Sequence, residues 1–214
     1  MIRSRIRRPL ALAAAVATGF TLVGAVGSPA AAASPRGVTC QGRGVDPDAE
    51  IRYRAETVIG APLHTVWRLQ TDVERWPSWH APVLTNDRLD HGPLRKGSQF
   101  RWTTPVIETP ISPATTLTVT STVQQIQNQK CIRWRGPASG DGLRIDEGVH
   151  VWTFSKVAGG IRVQTEETWT GDQVESDVAL ATAALAGGLE MWLRDLKATA
   201  EAGAEPCHRA GHDG

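Results

Sequence analysis

The chain has 214 residues, 41% of them hydrophobic and 21% charged. Those are the proportions of one ordinary globular domain with room for an appendage, and they exclude a disordered chain, a collagen or a coiled coil. The first 33 residues hold four Arg and no acid, and removing them leaves 19 Lys and Arg against 22 Asp and Glu. The body of the chain is therefore not a basic nucleic-acid binder, and nothing electrostatic draws it to anionic lipid. Aromatic usage is lopsided: 8 Trp against 3 Phe and 1 Tyr, with every Trp between Trp67 and Trp192. Trp combines a large apolar face with one N–H that wants a partner, so the excess points to a Trp-filled core or an aromatic-lined pocket.

The N-terminus reads as an export address. Arg3, Arg5, Arg7 and Arg8 precede an uncharged, Ala-rich run from Leu10 to Val26, and Ser28-Pro29-Ala30-Ala31-Ala32-Ala33-Ser34 follows. This is the layout of a cleavable secretory signal over residues 1–33, cut after Ala32 or Ala33. The apolar run is short and Gly-broken for a membrane span, so no stable span is expected once the signal is removed. Export through an oxidising compartment favours a disulfide. With Cys40, Cys131 and Cys207 the mature chain has one bridge and one leftover thiol, and both Cys40–Cys131 and Cys40–Cys207 are open.

Residues 34–49 form a polar, Gly-rich leader. Ile51, Tyr53, Ala55, Thr57 and Ile59 alternate with polar neighbours, the pattern of a strand with one buried face. Pro62 suits a helix's first turn, and Val66, Trp67 and Leu69 give that helix an apolar side. Thr71-Asp72-Val73-Glu74 matches a capping box, so a second short helix is expected, stopped at Trp76-Pro77. Six strands follow, at roughly 83–90, 98–104, 115–127, 130–135, 147–157 and 160–170. Long connections are expected at 105–114 and 136–146, both at one end of an antiparallel meander, where function often collects. Val178 to Ala202 is a long helix, with Leu185, Leu189, Trp192 and Leu196 on one side. Gly187-Gly188 inside it costs stability; close approach to the sheet, room for a ligand, or simple tolerance would explain the pair. Residues 203–214, with Cys207, His208 and His212, are expected to be a disordered, solvated tail and not a metal site.

The order of strand, two short helices, six-strand meander and long helix is the helix-grip layout, an α+β architecture. Ile59-Gly-Ala-Pro62, Val66-Trp67 and Asp72-Val-Glu-Arg-Trp-Pro-Ser-Trp79 resemble the opening of the SRPBCC (START-like) superfamily, in its polyketide cyclase/dehydrase-type bacterial branch. The resemblance continues through Gly97-Ser-Gln-Phe-Arg-Trp102, Ile132-Arg-Trp-Arg-Gly136, His150-Val-Trp-Thr-Phe154, Gly160-Ile-Arg-Val163, Glu166-Glu-Thr-Trp169 and Leu193-Arg-Asp-Leu-Lys197. It covers residues 50–202. It implies a curved seven-stranded antiparallel sheet wrapped around the last helix, with a cavity between them for a hydrophobic small molecule.

Alternation assigns side chains to that cavity's side of the sheet. His150, Trp152 and Phe154 share a face, as do Val163, Thr165, Glu167 and Trp169. The Gly159-Gly160 turn permits two registers, placing His150 and Glu167 opposite or diagonal. Phe100, Trp102, Ile132 and Trp134 add to the face, leaving Cys131, Arg133 and Arg135 outward. The expected ligand contacts are Trp79, Phe100, Trp102, Trp134, Trp152, Phe154, Val163, Thr165, Leu185 and Leu189. Trp67, Trp76 and Trp192 are assigned to the core, and Trp169 is assigned to neither role.

Two functions follow. The first is a secreted protein that binds a lipid, isoprenoid or polyketide-like molecule in a Trp-lined cavity, without a cofactor. The second is a cyclase or dehydratase using His150 and Glu167 as its acid–base pair; a buried structural pair or a ligand anchor is the alternative role for those residues. Aromatase-type relatives act on chains tethered to a cytoplasmic carrier, a partner that an exported protein would not meet. No Gly-x-Ser-x-Gly or Walker-type loop is present.

Overall fold

A computed structural model describes residues 37–203. The signal expected at 1–33, and Cys207, His208 and His212 of the expected tail, lie outside the described residues. Seven strands form one antiparallel sheet: β1 (Ile51–Ile59), β2 (Thr85–Arg88), β3 (Gln99–Val106), β4 (Thr115–Gln127), β5 (Cys131–Gly140), β6 (Leu143–Val157) and β7 (Gly160–Thr170). Their order in the sheet is β1-β7-β6-β5-β4-β3-β2. Helix α1 (Leu63–Thr71) and a 3-10 helix (Val73–Ser78) separate β1 from β2, and α2 (Asp172–Glu175) precedes the long α3 (Val178–Ala202). This is the helix-grip fold: the sheet's inner face closes on α3.

Several local expectations are corrected. The capping box does not form: Asp72 makes no side-chain cap, and the Thr71 hydroxyl donates instead to the Trp67 carbonyl at 2.8 Å. Pro77 lies inside the 3-10 helix rather than ending it. The connection expected at 136–146 is mostly strand, because β5 runs to Gly140 and β6 starts at Leu143. Its glycines mark a β-bulge between Gly136 and Ala138, not a loop. A Cβ at Gly136 would lie 1.8 Å from the Thr120 carbonyl oxygen, so only Gly fits there.

The end of the sheet expected to carry the long connections still gathers three elements. Gln173 of α2 donates to the carbonyls of Ile111 (3.0 Å) and Gly142 (2.6 Å) and accepts from the Arg144 N–H (2.8 Å). One side chain thus ties the β3–β4 loop and the β5–β6 hairpin to α2. Arg144 pairs with Asp146 at the surface, and Arg135 with Glu147 at 3.3 Å.

The leader is folded onto the sheet's outer face. Cys40 is disulfide-bonded to Cys131, and Val38, Cys40, Cys131 and Val151 form a small buried cluster there. The Val38 N–H donates to the buried Glu166 carboxylate at 2.7 Å, and Arg133 Nε donates to the Gly44 carbonyl at 2.8 Å. Cys131 faces outward as alternation requires, yet is only 4% exposed, because the leader covers it.

The inner face divides lengthwise. One half is solid core: Phe100, Val123, Ile132, Trp152, Phe154 and Val163 from the sheet meet Trp76, Leu193, Leu196 and Ala200 from the helices. The other half carries a second cluster, including Leu117, Ala138, Ile145, Leu185 and Leu189. It surrounds open space.

Candidate functional site

A cavity of about 550 Å³ lies between the N-terminal half of α3 and the inner face of the sheet. Strands β3 to β7 each contribute only the end nearer the β3–β4 loop. β3 gives Trp102 and Val106, β4 gives Leu117 and Val119, β5 gives Trp134 and Ala138, β6 gives Ile145 and His150, and β7 gives Glu167 and Trp169. From α3 come Ala181, Leu185, Gly188, Leu189 and Trp192.

Of the residues expected to contact a ligand, Trp102, Trp134, Leu185 and Leu189 line this space, as do His150 and Glu167 of the expected acid–base pair. Phe100, Trp152, Phe154 and Val163 do not: they belong to the solid half of the core. Thr165 is fully buried behind His150, and Trp79 packs edge-on against Trp192. For the five strand residues the physical reason is the same. Side-chain alternation fixes which face a residue takes, not how far along the strand the sheet and helix separate. Trp192, assigned to the core, serves both roles: it packs on Trp76 with ring centroids 4.7 Å apart and also lines the cavity.

The polar pair sits at the boundary between the two halves. His150 and Glu167 are directly opposite in the β6–β7 ladder, because the turn leaves residues 158–159 unpaired. His150 Nδ1 is 3.1 Å from Glu167 Oε2, and His150 Nε2 is 2.6 Å from Thr165 Oγ1. The Trp169 indole N–H donates to Glu167 Oε1 at 2.9 Å. The imidazole is wedged between Trp134 and Trp152, with ring centroids 5.1 and 4.9 Å away.

Burial disfavours charge on both partners. It pushes the Glu167 carboxyl up to about 7, against the opposing pull of the Trp169 N–H, and the His150 imidazole down to about 3. The pair is thus a carboxylic acid beside a neutral imidazole in mildly acid solution.

This has a signature in stability. Unfolded, a Glu loses its proton near its ordinary value of 4.5, whereas folded Glu167 retains it to about 7. Its contribution is fully present below pH 4.5 and is lost as pH rises to about 7. Relative to Glu167→Gln, the wild-type chain should lose about 3 kcal/mol across that window and nothing further above it. Urea unfolding of both proteins at several pH values measures the difference.

The sequence missed His80 and Asp195. His80 follows the 3-10 helix, is 3% exposed, and lines the cavity. Its Nδ1 lies 2.7 Å from Asp195 Oδ2 of α3, and its ring stacks on Trp192 at 4.6 Å. Nothing in the local pattern links residues 115 positions apart. The signal that was available is the Leu193-Arg-Asp-Leu-Lys197 segment, where Asp195 flanks the apolar helix stripe one turn after Trp192.

Among the described residues no group of His, Cys, Asp and Glu could hold a metal ion, and no helix is long and apolar enough to cross a membrane. A sheet closed on one long helix around an aromatic-walled cavity defines a helix-grip protein with an internal cavity. The family model described as polyketide cyclase/dehydrase and lipid transport matches residues 50–201, and the chain belongs to that family. Among solved structures, it is similar to the di-domain aromatase/cyclase StfQ of the steffimycin biosynthetic pathway. The two share 25% identity over 72% of this chain and 46% of that one, with a TM-score of 0.53. It also shares its fold with the Zhui aromatase/cyclase from a Streptomyces species, at 13% identity, 74% and 98% coverage and a TM-score of 0.56. A protein from Thermus thermophilus shares the fold at 20% identity, 72% and 99% coverage and a TM-score of 0.56. No curated protein matches the chain.

Proposed function

We propose that this is an exported protein that binds a hydrophobic small molecule, lipid, isoprenoid or polyketide-like, in the cavity between α3 and the sheet. The observation that carries the reading is the cavity: about 550 Å³, walled by Trp102, Trp134, Trp169 and Trp192 and aliphatic side chains, with few polar groups. The Arg-led apolar N-terminus supports export, and the Cys40–Cys131 bridge suits an oxidising compartment.

Gly188 supports it further. A side chain begun at Gly187 or Gly188 meets nothing within 4 Å, so close helix–sheet approach does not explain these residues. Gly188 lines the cavity, and its missing side chain is room for a ligand. The test uses the neutral apolar fluorophore N-phenyl-1-naphthylamine. Its emission should rise on mixing while Trp emission falls. Gly188→Leu should weaken binding about tenfold without lowering the melting temperature, since Leu favours helix over Gly by close to 1 kcal/mol. Unchanged Trp emission and melting temperature across this probe and a lipid panel would remove the support for binding.

A second reading rests on Glu167. A carboxyl whose proton is held by burial at a cavity wall, 3.1 Å from a neutral imidazole, is equipped to give and take a proton beside a carbonyl. Deuterium exchange at the carbon next to the carbonyl of 1-tetralone tests it. Acceleration by the wild type and none by Glu167→Gln would establish the enzyme.

A further inference from the structure

His80 is a buried, cavity-lining imidazole, distant in sequence from the His150–Glu167 pair. Its Nδ1 is occupied by Asp195 at 2.7 Å. Its Nε2 has no hydrogen-bond partner among the described residues, and it is not one of the unpartnered polar atoms sealed from solvent. The sealed group instead includes the indole nitrogens of Trp79, Trp102 and Trp152. The ring is held in place on three sides: by Asp195, by the face of Trp192 at 4.6 Å, and by Trp79 at 5.8 Å. A buried, cavity-lining imidazole whose second nitrogen has no partner is a hydrogen-bonding group in want of one.

We propose that His80, oriented by Asp195, is a second polar contact for the bound molecule and selects one carrying a hydroxyl, phenolic or enolic, on an apolar skeleton. This rests on the binding reading above and deepens it. Burial lowers the pKa of His80 against the opposing effect of Asp195, so the ring is neutral at neutral pH. The Asp195 carboxylate then accepts Nδ1–H, which leaves Nε2 with its lone pair. Nε2 is an acceptor and takes an O–H; a ketone or ether oxygen offers it nothing.

The experiment compares 2-naphthol with naphthalene, identical but for the hydroxyl, by calorimetric titration. Wild-type protein should prefer 2-naphthol by about tenfold. His80→Phe keeps a ring on Trp192 but removes the nitrogens. It should abolish the preference, read as the ratio of the two affinities measured on the same variant. Asp195→Asn changes a partly exposed helix residue and so keeps the fold. Its amide can donate to Nδ1 and turn Nε2 into a donor, so it too should reduce the preference at constant naphthalene affinity. A structural role alone would move both probes together. If both variants keep the preference, His80 does not read the hydroxyl and the proposal falls while the binding reading stands. If wild-type protein binds neither probe, both fall.

Discussion

Trp76→Ala should lower folding stability by about 3–5 kcal/mol, among the largest effects available to a single substitution. Trp76 has no exposed surface, and its ring meets Phe100, Trp102, Trp134 and Trp192 with centroids 4.7 to 6.1 Å apart. Its indole N–H donates to the Gln70 carbonyl at 3.1 Å, and the Gln70 side-chain oxygen accepts from Trp192 at 3.0 Å. Truncation leaves a void where the walls cannot collapse, because the neighbouring rings are fixed by their own contacts. For a domain of this size the loss corresponds to roughly 10 °C in melting temperature. A second consequence separates Trp76 from an ordinary core residue. Trp102, Trp134 and Trp192 all line the cavity, so losing their common support should also weaken binding of N-phenyl-1-naphthylamine. Trp76→Phe should keep most of the ring packing and lose less of both. Equal melting temperatures for wild type and Trp76→Ala would contradict this account of the aromatic cluster.

The aromatic residues also show how far the sequence could be read. Period-two alternation and the apolar-striped final helix marked seven strands and a long last helix, because each is a local pattern with a strong physical cause, while the sheet gripping that helix was implied by the family resemblance. Alternation also put His150 and Glu167 on one face, and the tight turn after Val157 sets them opposite each other. It could not separate Trp152 from His150, two residues earlier on the same face, although one is solid core and the other lines a cavity. That difference comes from where the curved sheet parts from α3, a property of the whole sheet. The bulge at Gly136 was misread for the opposite reason: Gly and Asp there have the composition of a loop, while the tertiary contact with Thr120 requires Gly within a strand. His80 was invisible because its meaning depends on Asp195, placed beside it only when α3 packs across the 3-10 helix.

Breaking the Cys40–Cys131 bridge should cost about 2–4 kcal/mol. The bridge spans 91 positions, and closing so long a loop restricts the unfolded chain strongly. Three hydrogen bonds depend on the same attachment: Val38 N–H to Glu166, Arg133 to the Gly44 carbonyl, and the Asp46 N–H to the Thr168 hydroxyl at 3.3 Å. Cys40→Ser and Cys131→Ser should each lose nearly the full amount. The double variant should lose little more, since both residues act through one bond. Denaturant unfolding with and without reductant measures it, and reductant should affect only the wild type. Binding supplies the sharper contrast. The leader covers the outer face of β5 and β6, through Cys131 and Val151, whereas Trp134 and His150 of the same strands face the cavity. Below the melting temperature, reduction should therefore leave N-phenyl-1-naphthylamine affinity unchanged, while Gly188→Leu weakens it without destabilising the fold. Stability and binding would then respond independently, as expected if one face of the sheet anchors the leader and the other holds the ligand.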